Sequence, residues 1–346
     1  MTAPLFFCVI SVVISLGLGI PAAFLAKRFN LIDIPGSAPH KQHTKPTPLA
    51  GGILILLVLV LTLLFKPPLS HDISFVLLGA LIIFFFGIWD DLKGLTAYPK
   101  LIGQLFASLL LVSSGVQVRF ITILFSKYDL LSELAQGLNI FITLFWLIGI
   151  TNAFNMIDSM DGIVAGIGVI ASMFFMGAAV LSDQTTLALW SAILFGLCIG
   201  LYILNGWASL FFLGDSGAQV TGFLLASFGI LYNPLNRAPE SSWIVPILLL
   251  GIPIFDTSLV VLSRFRRKQP IGNGRRDHTY HRLIRLGLRP RIAVFCVHFM
   301  ALVIGSLAFC VFYLSPWLAL LLFIVIIIIG MGFLLWLVRQ PTLDND

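Results

Sequence analysis

Long runs of apolar residues constrain the fold of this chain more than any other feature. A helix needs roughly 20 such residues to cross the hydrocarbon core of a bilayer, and the sequence holds about eleven runs of that kind. Hydrophobic residues make up 59% of the chain and charged residues 10%, whereas a soluble domain carries about 25% charged residues. The sequence therefore predicts an all-α integral membrane protein in which residues 1–346 form one polytopic domain.

The predicted membrane spans follow the apolar runs, with ends uncertain by about two to four residues. They cover residues 5–26, 48–66, 73–89, 101–118, 136–154, 163–181, 186–204, 216–232, 243–263, 292–314 and 316–338.

Basic residues predict the orientation, because cytoplasmic connections of membrane proteins carry an excess of Lys and Arg. Of the 21 Lys and Arg residues, all but Lys66, Arg119, Lys127 and Arg237 fall on the side that follows the first span. This bias places the amino terminus outside and the carboxyl terminus in the cytoplasm of a multi-pass protein of the cytoplasmic membrane. The net charge of +6 reflects this topology and anionic substrates, so we do not infer nucleic-acid binding from it.

Acidic residues gather at the predicted cytoplasmic ends of the spans. They are Asp90 and Asp91 in GIWDDLKGL, Asp158 and Asp161 in NAFNMIDSMDGI, and Asp215 in FLGDSGA. A carboxylate at the edge of a hydrocarbon layer is costly unless it is paired, solvated or bound to a metal. The pattern predicts an active site on the cytoplasmic face that takes a divalent cation and a phosphate-bearing substrate.

Polar groups recur every three residues in NAFNMIDSMDGI. If the segment is helical throughout, Asn152, Asn155, Asp158 and Asp161 form one slowly drifting stripe. Amide and carboxylate oxygens are hard ligands that suit Mg²⁺ or Mn²⁺. A purely structural network between helices is the alternative.

Asp90 and Asp91 stand at the end of the third span. Adjacent residues on a helix point about 100° apart, so both can reach one site only if the helix frays there. The following Lys93 suits the charge of a phosphate, although two solvated acids at a helix end would explain the pair as well. In GDSG, glycines on both sides of Asp215 would allow a phosphate to approach the backbone; a helix-capping acid is the alternative.

Residues 264–291 form a basic cytoplasmic loop that contains His278 and His281 in DHTYHRL, followed by Arg282. Imidazole and guanidinium donors suit diphosphate oxygens, so we predict a substrate contact here. A loop that only sets the topology would explain the arginines but not the histidines. In the first loop, Lys45, with His40, Lys41 and His43, is a weaker candidate for the same site.

Taken in order, HKQHTKPTPLAGG, DDLKGL, NAFNMIDSMDGI, FLGDSGA, GIPIFDT and HTYHRL resemble the motifs of the polyprenyl-phosphate N-acetylhexosamine-1-phosphate transferase superfamily, glycosyltransferase family 4. The resemblance implies transfer of a sugar 1-phosphate from a UDP-N-acetylhexosamine to undecaprenyl phosphate within the lipid membrane. It implies release of UMP, use of Mg²⁺ or Mn²⁺, and a first membrane step in a lipid-linked cell-surface glycan. A homodimer is compatible with it.

By motif position, the resemblance assigns a role to each candidate residue. The implied metal ligands are Asn155 and Asp215, and the implied catalytic acids are Asp90, Asp91, Asp158 and Asp161. The implied substrate-binding residues are Lys45, Lys93, Lys100, Asn152, His278, His281 and Arg282.

The ending HxxHRL resembles the branch that transfers N-acetylglucosamine 1-phosphate (GlcNAc 1-phosphate). The peptidoglycan branch, phospho-MurNAc-pentapeptide transferase, usually has three consecutive histidines and is the main alternative. Two positions depart from the family pattern: Tyr280 stands where a histidine is common, and Ser159 where many members have glycine. A cation-coupled transporter and a non-catalytic scaffold that binds anionic lipid are further alternatives.

Overall fold

The structure, a computed structural model, describes residues 2–35, 45–125, 132–234, 239–269 and 277–340. Most of these residues are helical. The helices are α1 (Thr2–Arg28), α2 (Gly51–Leu63), α3 (His71–Lys93), α4 (Ala97–Ser113), α5 (Phe120–Phe125), α6 (Ser132–Ile157), α7 (Ile163–Leu181), α8 (Thr185–Leu201), α9 (Gly214–Leu231), α10 (Pro239–Ser242), α11 (Ile244–Leu249), α12 (Gly251–Arg266), α13 (Thr279–Arg285), α14 (Pro290–Cys310) and α15 (Pro316–Arg339). A π-helical turn, Tyr202–Trp207, continues α8, and a 3₁₀ turn, Val311–Tyr313, follows α14.

The prediction of an all-α membrane protein is confirmed. Seven described helices are long and apolar enough to cross a membrane: α1, α3, α6, α7, α8 with its π turn, α14 and α15. Helices α2 and α4 are apolar but shorter, and α9 and α12 lie where two further spans were expected. The number of eleven crossings and the orientation of the termini stay predictions.

The span expected over residues 243–263 is not one helix. It breaks at Leu250, where α11 ends and α12 begins. Pro253 explains the break, because its ring has no N–H and would clash with the carbonyl of Leu249 in a continuous helix.

Helix α9 lies at the centre of the bundle. Nearly every residue from Ser216 to Gly229 is buried, as expected for a helix that is surrounded by others. A Cβ atom on Gly52 of α2 or Gly87 of α3 would overlap with Ser216. Because these glycines let α2 and α3 pack against its first turn, the position of that turn is tightly determined.

A short β ribbon lies at the same end of the bundle. Strands β1 (Ile32–Asp33) and β2 (Thr47–Pro48) pair antiparallel, and Leu49 forms a parallel bridge with Phe212. The Phe212 amide donates to the Pro48 carbonyl at 2.9 Å. The ribbon thus fixes the segment that leads into α9 and Asp215.

Candidate active site

Lys100 joins carboxylates from two helices. Its ammonium group, in the first turn of α4, forms ion pairs with Asp90 at the end of α3 and with Asp215 Oδ2 of α9, the latter at 2.6 Å. Asp90 is buried, whereas Lys100 and Asp215 are partly exposed. The positive charge therefore lies between two acids at a place that solvent can reach.

Asp91 binds the amino-terminal end of α9. Its Oδ1 accepts a hydrogen bond from the Asp215 amide at 2.7 Å, and its Oδ2 accepts from the Ser216 amide at 3.2 Å and the Ser216 hydroxyl at 2.5 Å. The first amides of a helix have no partner within the helix and carry partial positive charge. Asp91 therefore acts as a capping acid supplied by another helix, and it places Asp215.

Helix α3 does not fray at the acid pair, so that expected condition is wrong. The helix continues to Lys93 and ends at Gly94, a left-handed residue whose amide donates to the Asp90 carbonyl at 2.7 Å. Both acids reach one site because their partners lie in different directions. At Gly214 (φ 73°), a Cβ would lie 2.8 Å from the Asp91 carboxylate, so this glycine permits the capping contact.

The predicted helical stripe of amides and acids is wrong beyond Ile157. Asn152 and Asn155 lie on α6, which ends at Ile157, whereas Asp158 and Asp161 lie in the turn that leads to α7. The chain turns because Gly162 adopts a φ of 78° and its amide donates to Asn205 Oδ1 at 2.8 Å. Asp161 accepts a hydrogen bond from the Ser209 hydroxyl at 3.1 Å.

Asp158 lies among other carboxylates. Burial raises the pKa of Asp158 well above its ordinary value, and the negative charges of Asp215, Asp161 and Asp91 raise it further. Like charges have this effect only at close range. Asp90, Asp91, Asp158, Asp161 and Asp215 thus form one group at this end of the bundle, called the carboxylate cluster below.

Asn152 takes part in a polar network between helices, and its hydrogen bonds with other described residues do not involve the carboxylate cluster. Its amide nitrogen donates to Gln104 Oε1 at 2.6 Å, and Gln104 Nε2 donates to Asn152 Oδ1 at 3.2 Å and Gln219 Oε1 at 3.0 Å. These contacts favour the structural alternative for Asn152, whose substrate role stays a prediction. Sequence reasoning missed Gln104 and Gln219, although two glutamines within apolar runs were a usable signal. Asn155 is half-buried on α6.

The histidine motif forms helix α13 and the residue before it. His278 Nδ1 lies 2.7 Å from Asp256 Oδ2, and the Thr279 amide donates to Asp256 Oδ1 at 2.7 Å. Both His278 and Asp256 are buried. Asp256 belongs to the GIPIFDT motif, and its contact with His278, 22 residues further along the chain, depends on how α12 and α13 pack and could not be foreseen from the sequence.

Arg282 lies inside the protein, with 1% of its surface exposed. Its guanidinium group donates to the carbonyls of Asp277, Leu337 and Gln340 and to the Ser263 hydroxyl. All three of its nitrogens are therefore engaged with the protein. This favours a structural role over the predicted substrate contact.

Two of the predicted lysines lie outside these contacts. Lys93 and Lys45 are exposed, and within the described ranges neither is joined to the carboxylate cluster by a hydrogen bond or ion pair. The accessory candidates His40, Lys41 and His43 lie outside the described residues.

A magnesium ion fits the chemistry of the cluster. Within the part of the chain that the structure describes, no three His, Cys, Asp or Glu side chains are arranged to hold a metal by themselves. Mg²⁺, however, is commonly bound by one or two carboxylates together with substrate phosphates and water. Burial and the repulsion of neighbouring carboxylates raise the Asp158 pKa, and a bound cation would relieve that repulsion.

A comparison with known families identifies a match that spans this part of the chain. The model for glycosyl transferase family 4 matches residues 73–233. This stretch includes the whole carboxylate cluster and Lys100, while the basic loop lies beyond it. Over this stretch, the chain is similar to glycosyl transferase family 4.

Three similar proteins carry names of phospho-sugar transferases. The probable undecaprenyl-phosphate N-acetylglucosaminyl 1-phosphate transferase of Bacillus subtilis is 29% identical over 307 residues, 88% of this chain and 84% of that protein. The undecaprenyl-phosphate alpha-N-acetylglucosaminyl 1-phosphate transferase of Escherichia coli K12 is 25% identical over 87% of this chain and 82% of its own length. The phospho-N-acetylmuramoyl-pentapeptide-transferase of Clostridioides difficile is 30% identical, but over only 56% of this chain and 63% of its own length.

Proposed function

We infer that this protein is a family 4 transferase that transfers GlcNAc 1-phosphate from UDP-GlcNAc to undecaprenyl phosphate, with release of UMP. The names of the relatives that align along more than four fifths of the chain support this substrate pair. The pentapeptide transferase is less favoured because its similarity covers little more than half of the chain. The observation that carries the proposal is the carboxylate cluster around Lys100, built from α3, α4, α9 and the α6–α7 turn.

The chemistry requires little acid–base help from the protein. The second pKa of the acceptor phosphate should be about 6, as for a phosphorylated side chain, so the attacking oxygen is already largely ionised at pH 7. The main tasks are to align two anions and to offset their charge. Lys100 lies within the cluster and is suited to meet phosphate oxygens. Asp90 would orient Lys100 or the attacking phosphate, while Asp91 fixes Asp215 through the start of α9.

We propose Mg²⁺, or Mn²⁺, as the cofactor, with Asp215 and Asn155 as its protein ligands. When bound, the cation would neutralise charge on the diphosphate of the donor. Asp158 and Asp161 face the same cluster and would strengthen its attraction for the cation. The excess of carboxylates over nearby ammonium groups supports this assignment.

A cation-coupled transporter is not favoured. It would place its acids at mid-depth in the bundle, whereas the cluster lies at helix ends. Asp256, which is buried within α12, is already bound by His278 and the Thr279 amide. The predicted topology places the cluster on the side that carries most basic residues, so we propose that the site opens to the cytoplasm and stands at the first membrane step of a cell-surface glycan. A homodimer stays a prediction.

The proposal is tested with purified protein in detergent. UMP release is followed with undecaprenyl phosphate and either UDP-GlcNAc, UDP-N-acetylgalactosamine or UDP-MurNAc-pentapeptide, with Mg²⁺ or with EDTA. We expect UMP from UDP-GlcNAc only when Mg²⁺ is present, and none from Asp215→Asn. Turnover of the pentapeptide donor alone would establish the alternative, and no turnover of any donor would refute the proposed reaction.

A further inference from the structure

We propose that Tyr280 is a positioning residue whose hydroxyl group joins the histidine motif to the acidic turn and thereby shapes the binding site for the nucleotide-sugar donor. This inference rests on the proposed function. It assigns a role to the two positions at which the motifs depart from the family pattern, Tyr280 and Ser159, because the structure places these residues in direct contact.

The contact is buried and connects segments that are distant in sequence. Tyr280 has 2% of its surface exposed. Its hydroxyl oxygen lies 2.8 Å from Ser159 Oγ, 3.0 Å from the Ser159 carbonyl oxygen and 2.8 Å from His281 Nε2. Ser159 lies within the turn that carries Asp158 and Asp161. One hydroxyl group therefore contacts both the acidic turn and a histidine of the motif.

The donors and acceptors in this contact determine where protons lie. The Ser159 carbonyl can only accept, so the Tyr280 hydroxyl donates its single proton there, where it also points toward Ser159 Oγ, whose own proton goes to the Ile157 carbonyl. The Tyr280 oxygen then accepts from His281. For His281 to donate, its proton must be on Nε2, which leaves the lone pair of the neutral ring on Nδ1. Tyr280 thus selects the tautomer of His281.

His278 is held through its opposite nitrogen. Its Nδ1 lies 2.7 Å from the Asp256 carboxylate, which can only accept when ionised, so the Nδ1 proton is fixed there. The same carboxylate accepts from the Thr279 amide at 2.7 Å. The start of α13 is consequently attached at two points, to α12 through Asp256 and to the acidic turn through Ser159.

The geometry indicates the donor side of the reaction. Under the proposed function, the acceptor would enter through the membrane by its polyprenyl tail, whereas the water-soluble donor would arrive from the predicted cytoplasmic side, to which the basic loop belongs. Residues 158–161 and α13 meet through the Tyr280–Ser159 contact, next to the charges of Asp91 and Asp215 that act on Asp158. Loss of the Tyr280 hydroxyl should therefore loosen the donor site and leave acceptor binding unchanged.

Tyr280→Phe tests the proposal because it removes the hydroxyl and keeps the ring. The substitution removes the hydroxyl group's three buried contacts, with Ser159 Oγ, the Ser159 carbonyl and His281. We therefore expect the KM for UDP-GlcNAc to rise about tenfold, with kcat and the KM for undecaprenyl phosphate each changed less than about twofold. The matched control, Tyr313→Phe, removes an exposed hydroxyl beyond α14 and should change none of these constants. Unchanged constants in Tyr280→Phe, or equal losses for both substrates, would overturn the proposal.

A second variant separates the contact from general loss of packing. Ser159→Ala removes the Oγ but keeps the carbonyl, so its donor KM should rise less than that of Tyr280→Phe, and the double variant should match Tyr280→Phe alone. Additive effects would show that the two residues act independently. If Tyr280→Phe fails to fold, a donor KM unchanged in Ser159→Ala would refute the proposal.

Amide hydrogen exchange gives a readout that does not depend on turnover. Peptides that cover residues 157–162 should exchange faster in Tyr280→Phe than in the native protein, and at the native rate in Tyr313→Phe. Faster exchange in a protein that turns over no UDP-sugar would refute the proposed reaction and keep the contact. Unchanged exchange together with an active enzyme would refute the contact and keep the reaction.

Discussion

Lys100 is the residue on which the charge balance of the site depends. It pairs with Asp90 and Asp215 from two helices. In Lys100→Met, these acids would lose their partner and the phosphates would lose a cation. We expect kcat/KM to fall at least about 100-fold, equivalent to about 2.7 kcal/mol of transition-state stabilisation, in the UMP-release assay. Lys27→Met, at an exposed position at the end of α1, should keep native activity. A loss of less than about threefold in Lys100→Met would remove Lys100 from the mechanism.

Asp158 makes the stability of the folded protein depend on pH. Its pKa is raised in the folded protein by burial and by the neighbouring carboxylates, whereas in the unfolded chain it is about 3.9. Between these values the folded state holds more protons, so stability falls as pH rises through the folded pKa. Asp158→Asn should therefore raise the melting temperature at pH 8 in EDTA by a few degrees, about 1 kcal/mol, and change it little at pH 4.

The metal dependence of the same variant gives a control. At pH 8, Mg²⁺ should raise the melting temperature of the native protein more than that of the Asp158→Asn variant. The substitution has already removed part of the repulsion that the cation would relieve. A variant that is less stable than the native protein at pH 8 would contradict this account of the cluster.

At the scale of elements, the packing of α3 against α9 determines whether Asp91 can cap the central helix. A methyl group on Gly87 would overlap with the Ser216 backbone. Gly87→Ala should therefore displace the start of α9, cost about 1–3 kcal/mol as in other overpacked sites, and reduce UMP release with it. The measurements are thermal unfolding in detergent and turnover.

Gly149→Ala is the matched control, since it lies within α6 and a Cβ there meets nothing within 4 Å. Alanine is a better helix former than glycine by about 1 kcal/mol, so this variant should be at least as stable as the native protein. Equal behaviour of the two variants would show that the α3–α9 contact is not critical.

Apolar runs predicted the positions of the helices well, because burying polar groups in lipid is costly and membrane helices are therefore confined to the apolar runs. Helices α7 and α15 illustrate this, since their bounds differ by at most one residue from the predicted spans. The prediction missed helix breaks and ends that depend on local backbone conformation. The break at Leu250 depends on Pro253, and the end of α6 at Ile157 depends on the turn before Gly162.

The site was predictable in its acids but not in its connections. Asp90, Asp91, Asp158, Asp161 and Asp215 are conspicuous because carboxylates are rare next to apolar runs. That Asp91 caps α9, or that Tyr280 contacts Ser159, depends on tertiary contacts between segments more than 100 residues apart. Composition and residue spacing do not predict such contacts.

At the scale of the whole molecule, the orientation in the membrane is a prediction that two helix starts can test. Ser315 precedes α15 and Arg289 precedes α14, and both residues are exposed. In a protein whose four native cysteines are replaced by alanine, Ser315→Cys should react with a membrane-impermeant maleimide in intact cells. Arg289→Cys should react only after permeabilisation. The reverse pattern would invert the topology and place the carboxylate cluster outside.

The contacts of Arg282 have a practical consequence for work with this protein. Its guanidinium group closes the carboxyl end of α15 by donating to the Leu337 and Gln340 carbonyls. A truncation before these residues would leave Nη1 of this buried cation without its two acceptors, which is more costly than shortening a helix at an exposed end. Affinity tags and crystallisation fusions should therefore be attached beyond Gln340, where they leave these hydrogen bonds of Arg282 intact.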